Sequence, residues 1–103
     1  MDAQLKRGLL EVCVLAALKS QDSYGYQIIK DISPHVEISE STLYPILKRL
    51  EGNGAVTVYS TEHSGRLRKY YRMTEAGKNR LLDFLSEWKE VTEIYKFIEG
   101  DAQ

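Results

Sequence analysis

The chain has 103 residues, of which 43% are hydrophobic and 28% are charged, and its net charge is −1. These values fit one globular domain and exclude a collagen-like or largely disordered chain. A single cysteine, Cys13, excludes an internal disulfide framework and a zinc site built from several cysteines.

The small net charge hides an uneven distribution along the chain. Residues 41–80 carry eight basic and three acidic side chains, a net charge of +5, whereas residues 1–40 carry −2 and residues 81–103 carry −4. Such asymmetry indicates that the middle third meets a polyanion. Charge alone does not separate this interpretation from the alternative, in which the basic residues form an ordinary solvated face.

The first predicted helix spans residues 4–19. Apolar residues occupy nearly every side of it, which is typical of a helix buried on more than one side and suggests contact with another subunit. Glu11 interrupts the apolar run, which is also shorter than the ~20 residues of a membrane span. We therefore expect a cytoplasmic protein with no membrane partner.

Two shorter helices are predicted next, over about 24–32 and 40–51. Asp22 or Ser23 can cap the first of them, and Ser39 can cap the second, because short oxygen-bearing side chains accept from free amides at a helix start.

The helix over 40–51 has two chemically different faces. The apolar face has residues at spacings of three and four, namely Leu43, Ile46, Leu47 and Leu50. The opposite face is polar, aromatic and basic, with Ser41, Tyr44, Pro45 and Lys48. A proline inside a helix costs ~3 kcal/mol, so we expect Pro45 to lie in the first turn.

Alternating residues predict two strands, over 55–60 and 67–73, joined by a polar loop over 61–66. The loop and the second strand carry four basic residues, Arg66, Arg68, Lys69 and Arg72. This pattern predicts a basic two-stranded hairpin.

Thr74 is the expected cap of a last helix that runs to about Glu99 and is ~37 Å long. Apolar residues recur along it at spacings of four and three, namely Phe84, Trp88, Val91, Tyr95 and Ile98. Since the rest of the chain is too small to cover so long a helix, we expect a second copy to bury this face.

The predicted fold is mostly α with a two-stranded β wing. It consists of a winged helix-turn-helix over residues 1–74 and a C-terminal dimerisation helix over 75–103. In such a fold the third helix enters the DNA major groove and the wing follows the backbone. The residues suited to bases or phosphates are Ser41, Thr42, Tyr44, Lys48 and Arg49 on the helix and Arg66, Arg68, Lys69 and Tyr70 on the wing.

Three stretches carry a family resemblance: residues 23–28 (SYGYQI), 41–51 (STLYPILKRLE) with Gly54, and 68–74 (RKYYRMT) with Gly77. Together they are similar to the short form of PadR-type transcriptional regulators, and the resemblance covers essentially the whole chain. Ser41 stands where the family often has Gly or Ala, and Met73 where it often has Leu.

The resemblance implies a homodimer that binds inverted-repeat operators in double-stranded DNA, usually as a repressor released by an inducer. By position, it implies DNA contacts at Tyr24, Thr42, Tyr44, Lys48, Lys69 and Tyr70. It also implies a dimer interface in which Leu5 and Leu9 of the first helix join the apolar face of the last.

Some short family members hold planar aromatic compounds in a pore at the dimer centre, stacked on a Trp that Trp88 matches. By position the pore would be lined by Leu5, Val12, Ala16, Leu85, Trp88 and Thr92. The alternative is that no pore exists and that Trp88 anchors a closed dimer interface.

The sequence predicts no enzyme, no metal site and no cofactor. His35 and His63 stand on separate loops, and no phosphate-binding loop or nucleophile motif is present. Two functions other than DNA-binding regulation stay open. One is a winged helix that binds protein, and the other is a small-molecule sensor with little specific DNA binding.

Overall fold

The computed structural model describes residues 1–100, which form four helices and a two-stranded antiparallel sheet. In chain order the elements are α1 (Ala3–Ala17), α2 (Gly25–Ile32), α3 (Glu40–Gly52), β1 (Val56–His63), β2 (Arg66–Met73) and α4 (Glu75–Glu99). The predicted fold class and element order are confirmed. The last three positions of the predicted dimerisation segment, 101–103, lie outside the described residues. Within residues 1–100, no helix is long and apolar enough to cross a membrane.

The core lies where α1, α2 and α3 meet the base of the hairpin. Leu43 and Leu50 on the predicted apolar face of α3 are completely buried, as are Leu15 of α1 and Ile28 of α2. Tyr71 of β2 closes the cluster from the sheet side. The core therefore fixes α3 with its opposite face turned outward.

The segment before α2 does not cap that helix as predicted. The cap position is Tyr24, whose side chain makes no capping hydrogen bond. Ser23 instead pairs with Tyr71 of β2 through two backbone hydrogen bonds of 3.1 and 2.7 Å. The chain entering α2 is thus attached to the wing strand.

Pro45 lies in the second turn of α3, not in the first turn as expected. The helix begins at Glu40, and Ser39 occupies the cap position without a side-chain capping bond. Since proline has no N–H, the carbonyl of Ser41 receives no intrahelical bond from it. Both residues are exposed, so solvent reaches this point of the helix.

The hairpin is longer and its turn tighter than predicted. The predicted loop over 61–66 is mostly strand, and only Ser64 and Gly65 form the turn, with φ of 52° and 78°. Positive φ at both central residues is the geometry that favours a two-residue hairpin connection. The register pairs Tyr59 with Tyr70 and Thr61 with Arg68.

A compact joint, formed by Gly54, Ala55, Thr74 and Gly77, sets the direction in which α4 leaves the rest of the fold. The Thr74 hydroxyl accepts from the N–H of Gly77 at 3.1 Å, as predicted, and donates to the carbonyl of Gly54 at 2.6 Å. A Cβ on Gly77 would lie 2.2 Å from the carbonyl oxygen of Ala55. Beyond Leu81, no described residue of α4 is buried.

Gly77→Ala is expected to lower the free energy of unfolding by ~1–3 kcal/mol, because the added methyl group overlaps backbone that must shift. Urea denaturation measures the change. Gly52→Ala is the control, since a Cβ at Gly52 meets nothing within 4 Å. Equal stability of the two variants would contradict this account of the joint.

Candidate nucleic-acid interface

The outward face of α3 is polar and open to solvent. Ser41, Thr42 and Lys48 are exposed, and Tyr44 is 46% exposed. The hydroxyl of Ser39 lies 3.0 Å from that of Ser41 and 3.2 Å from that of Thr42. The first turn therefore presents a cluster of hydroxyl groups, which can donate to or accept from bases and phosphates.

The Tyr44 ring rests on the start of α2. A Cβ on Gly25 would lie 2.3 Å from the Tyr44 hydroxyl oxygen and 2.9 Å from the adjoining ring carbon. Only a residue without a side chain leaves room for the ring in this orientation. The glycine of the sequence motif at 23–28 thus sets where Tyr44 points.

A row of aromatic rings joins α2 to the wing. The Arg68 guanidinium lies 4.0 Å above the centre of the Tyr24 ring, a cation–π contact. Tyr24 meets Tyr70 edge-on with ring centres 5.4 Å apart, and Tyr70 stacks on Tyr59 at 5.7 Å. The structure therefore brings together Tyr24, Arg68 and Tyr70, which the sequence identified separately as candidate DNA contacts.

Asp22 fastens the base of the wing, a role the sequence did not reveal. Its carboxylate accepts from the Tyr59 hydroxyl at 2.6 Å and from Arg72 Nε and Nη2, each at 3.1 Å. The hydrogen bonds from Tyr59 and Arg72 lower the pKa of Asp22, and the same carboxylate raises the pKa of Tyr59 and of Arg72. Arg72 is thus engaged by Asp22, although its side chain is 62% exposed.

A cleft of about 380 Å³ separates α3 from the wing. It is lined by Tyr24, Gly25, Tyr26, Tyr44, Arg68, Lys69 and Tyr71. The start of α2 also opens into this cleft, and a helix start carries partial positive charge. Aromatic, basic and helix-terminus groups therefore converge between the two elements expected to contact DNA.

Arg49 and Arg66 do not line the cleft between α3 and the wing. Arg66 stands exposed beside the turn of the wing. Arg49 binds the buried carboxylate of Glu11, with Nε to Oε2 at 2.7 Å, and Arg80 binds the other oxygen of the same carboxylate. Arg49 thus takes part in an ion pair that joins α3 to α1 and α4, and the phosphate contact predicted for it stays a prediction.

The predicted dimer face of α4 is largely open in the single chain. Trp88 and Val91 are each 40% exposed, Tyr95 and Ile98 are more so, and Phe84 is half-buried and stacks on Trp88 at 5.4 Å. On α1, Leu5 is exposed and Leu9 is half-buried.

The predicted pore residues differ in their exposure within the single chain. Ala16, Leu85 and Thr92 are exposed. Val12 is 8% exposed within its own chain, and its place in a pore between two copies stays a prediction.

Cys13 and the candidate metal ligands are the other chemistry-bearing groups of residues 1–100. Cys13 is half-buried, and burial raises the pKa of its thiol, which disfavours the reactive thiolate. Within residues 1–100, no three His, Cys, Asp or Glu side chains are placed to share a metal ion.

Comparison with known proteins finds transcriptional regulators among the relatives of this chain. The sequence model described as "Transcriptional regulator PadR-like family" matches residues 14–83. The negative transcriptional regulator PadR of Bacillus subtilis is 28% identical over 93 residues, which cover 85% of this chain and 51% of that protein.

Two solved structures show the same architecture. A transcriptional regulator from Clostridium thermocellum is 32% identical, with a TM-score of 0.83 over 93% of this chain and 95% of that one. Bacillus subtilis PadR in complex with operator DNA is 28% identical, with a TM-score of 0.68 over 74% of this chain and 46% of that one.

Asp22→Asn is expected to lower the melting temperature at pH 7, because a neutral amide binds Arg72 and Tyr59 less strongly than the carboxylate does. Since the folded-state pKa of Asp22 is depressed, its contribution is present above the ordinary value of ~3.9 and is lost as the pH falls through the folded value. The difference between variant and wild type should therefore shrink toward pH 3.

Thermal unfolding followed by circular dichroism at pH 7 and pH 3 measures this. Asp31→Asn is the control, because the exposed Asp31 accepts only from Gln27 of its own helix. A difference for Asp22→Asn that is as large at pH 3 as at pH 7 would disprove the role of its charge.

Proposed function

Since this chain belongs to the transcriptional regulator PadR-like family, we propose that it represses transcription as a homodimer that binds an inverted-repeat operator and is released by a small-molecule effector. Family members are regulators rather than enzymes, and a relative is named a negative regulator. The main support for this proposal is that side chains of α3 and of the wing line the same basic, aromatic cleft.

In this proposal α3 reads sequence from the major groove, which is wide enough for a helix. Ser41, Thr42 and Tyr44 contact base edges, and Pro45 can touch a thymine methyl group. Lys48, one turn after Tyr44, reaches a phosphate. The hydroxyl cluster at the start of α3 supports this assignment, because each hydroxyl both donates and accepts.

The wing holds the DNA backbone and fixes the register of α3. Arg68, Lys69 and Tyr70 contact phosphates, which position a protein without specifying sequence. The ring of Tyr24 beneath Arg68 supports this, because a cation already ordered in the free protein loses less freedom on binding. Arg66 at the turn extends the same contact outward.

The homodimer is supported by the open apolar face of α4. Contiguous exposed apolar side chains on a single chain mark interaction sites. Pairing of Trp88, Val91, Tyr95 and Ile98 with a second copy would cover them. A two-fold dimer presents two copies of α3, which matches an operator with two inverted half-sites.

For the effector, we propose a planar aromatic compound that lies between the two Trp88 rings. Trp88 is 40% exposed and stacks on Phe84, which supports an aromatic environment for a further ring. Leu5, Ala16 and Leu85 would line the remaining walls with Thr92. Aromatic stacking adds ~0.5–1.5 kcal/mol beyond the burial of area.

The test compares two substitutions on labelled DNA from the region upstream of this chain's own gene and on a scrambled duplex. Lys69→Ala should weaken binding to both duplexes equally and reduce the salt slope by ~1, because a phosphate contact is lost. Tyr44→Phe should weaken the first duplex more than the second. Fluorescence anisotropy at two salt concentrations measures both effects, with Lys78→Ala on α4 as the control.

Two results would decide against parts of the proposal. Equal effects of Lys69→Ala and Tyr44→Phe on both duplexes would reject the division of labour between helix and wing. Weak wild-type binding that is equal on both duplexes would favour the alternative of a winged helix that binds protein, or of a sensor with little specific DNA binding.

Gly25→Ala is a second test, aimed at the position of Tyr44. The added methyl group displaces the end of the Tyr44 ring, which can swing away at small cost to stability. We expect the preference for the specific duplex to fall by about tenfold, which corresponds to ~1.4 kcal/mol. A variant that keeps full preference while the ring has moved would remove Tyr44 from the sequence-reading role.

A further inference from the structure

The first turns of α1 carry two neighbouring basic side chains, Lys6 and Arg7. Lys6 is half-buried and Arg7 is exposed. Within residues 1–100 neither of them forms an ion pair, in contrast to Arg49 of α3, which is bound to Glu11. Both charges can therefore meet an anion that approaches α1 from outside the chain.

These two side chains share a groove with the first half of α3. The groove has a volume of about 570 Å³. Lys6 and Arg7 line it from α1, and Thr42 and Pro45 line it from α3. Its floor is apolar and consists of the buried residues Leu10, Ile38 and Ile46. The start of α1 therefore lies beside the surface of α3 that the proposed function assigns to DNA.

The groove beside α1 and the cleft beside the wing lie on opposite sides of the outward face of α3. Residues two apart on a helix point ~200° apart, so Thr42 and Tyr44 face in nearly opposite directions. Thr42 lines the groove, whereas Tyr44 lines the cleft. Ser41 and Lys48 point only ~20° apart and lie between them, because they are seven positions apart. The outward face is thus flanked by α1 on one side and by the wing on the other.

A helix in the major groove of B-DNA has a sugar–phosphate strand on each side. The groove is ~12 Å wide and a helix with its side chains is ~10–12 Å across, so the helix fills the space between the two strands. The proposed function gives one strand to the wing, through Arg68, Lys69 and Tyr70. The other strand then passes the side of α3 that faces α1, where Lys6 and Arg7 stand.

The proposed dimer leaves this side of α1 open. Leu5 and Leu9 are the α1 residues expected at the dimer interface, and Arg7 is two positions from each of them. It therefore points ~160° away from both. A second copy that covers Leu5 and Leu9 does not cover Arg7.

We propose that Lys6 and Arg7 form a third DNA-binding element, which binds phosphates of the strand opposite the one that the wing holds. The inference rests on the DNA binding of the proposed function. These two residues supply the attraction, because Arg49 is bound to Glu11 and the one acidic residue that lines the groove, Glu37, repels phosphate. Contacts to both strands of a half-site hold α3 between them.

The first test removes each of the two charges, on the upstream and scrambled duplexes used for the proposed function. Lys6→Ala and Arg7→Ala should each weaken binding to both duplexes about threefold and reduce the salt slope by ~1, because a phosphate contact carries no sequence information. Lys19→Ala is the matched control, since Lys19 is exposed beyond the other end of α1. It should leave the salt slope unchanged.

The outcomes separate this inference from the proposed function. Salt slopes of Lys6→Ala and Arg7→Ala that equal that of the wild type, while Lys69→Ala reduces it, overturn the α1 contact and leave the proposed function standing. A wild-type chain that binds neither duplex overturns both. Reduced slopes for both α1 variants, with an unchanged slope for the control, support the contact.

A second measurement locates α1 on DNA and keeps both basic residues. An iron chelate that cuts nearby DNA backbone is attached at Ala3→Cys, which lines the groove, or at Ser60→Cys, which pairs with Lys69 on the wing, each in a Cys13→Ser background. The two probes should cut opposite strands of each half-site, and a probe at Lys19→Cys should cut neither. No cut from Ala3→Cys, or a cut on the same strand as from Ser60→Cys, overturns the proposal.

Glu37 provides a test of opposite sign. A phosphate strand that crosses the groove is repelled by its carboxylate, so Glu37→Gln should tighten binding to both duplexes about threefold. Glu90→Gln is the control, because Glu90 is exposed on α4 and points ~160° away from Trp88. An unchanged affinity of Glu37→Gln would place the strand away from the groove and overturn the proposal.

Discussion

The arrangement of the whole chain depends on one buried carboxylate. Glu11 of α1 is 8% exposed, and its two oxygens are bound by Arg49 of α3 and Arg80 of α4. A buried charge left without a partner is costly, so the three helices hold their mutual positions as a unit. The helix proposed to read DNA is thus tied to the helix proposed to form the dimer. Any change in the direction of α4 has to be accommodated at Glu11.

The wing, which has little core of its own, is also held by a small number of polar and aromatic contacts. Most of its length is exposed, and it is fixed instead at its base. Asp22 holds Tyr59 and Arg72, while Tyr24 supports Arg68 and meets Tyr70. These contacts all involve the short segment before α2, which also pairs with β2. The basic residues of the wing are therefore ordered by α2 before any DNA is present, which reduces the entropy that binding must offset.

Patterns local in sequence predicted the helices and their faces well. The spacing of Leu43, Ile46, Leu47 and Leu50 identified the buried face of α3, because helical periodicity alone determines which residues share a side. The length of α4 predicted an open apolar face, because the rest of the chain is too small to cover so long a helix. Thr74 capped α4 as expected, since a cap depends on a neighbour three residues away.

Contacts between residues distant in sequence could not be predicted. The ion pair between Arg49 and Glu11 joins residues 38 positions apart. Asp22 looked like a helix cap, but Tyr59 and Arg72 are its partners. The polar residues over 61–63 looked like a loop, yet pairing with β2 extends the strand through them. In each case the residue type was correctly recognised, and only the folded chain showed which partner it meets.

The link within one chain also determines how a change at α4 would reach α3. Inside a protomer, Glu11 joins α4 to α3 near the start of α4, through Arg80 and Arg49. The planar compound proposed to lie between two Trp88 rings would displace the middle of α4. Because a rigid helix of 25 residues transmits a displacement at its middle to its ends, the ion pairs at Glu11 would carry that displacement to α3.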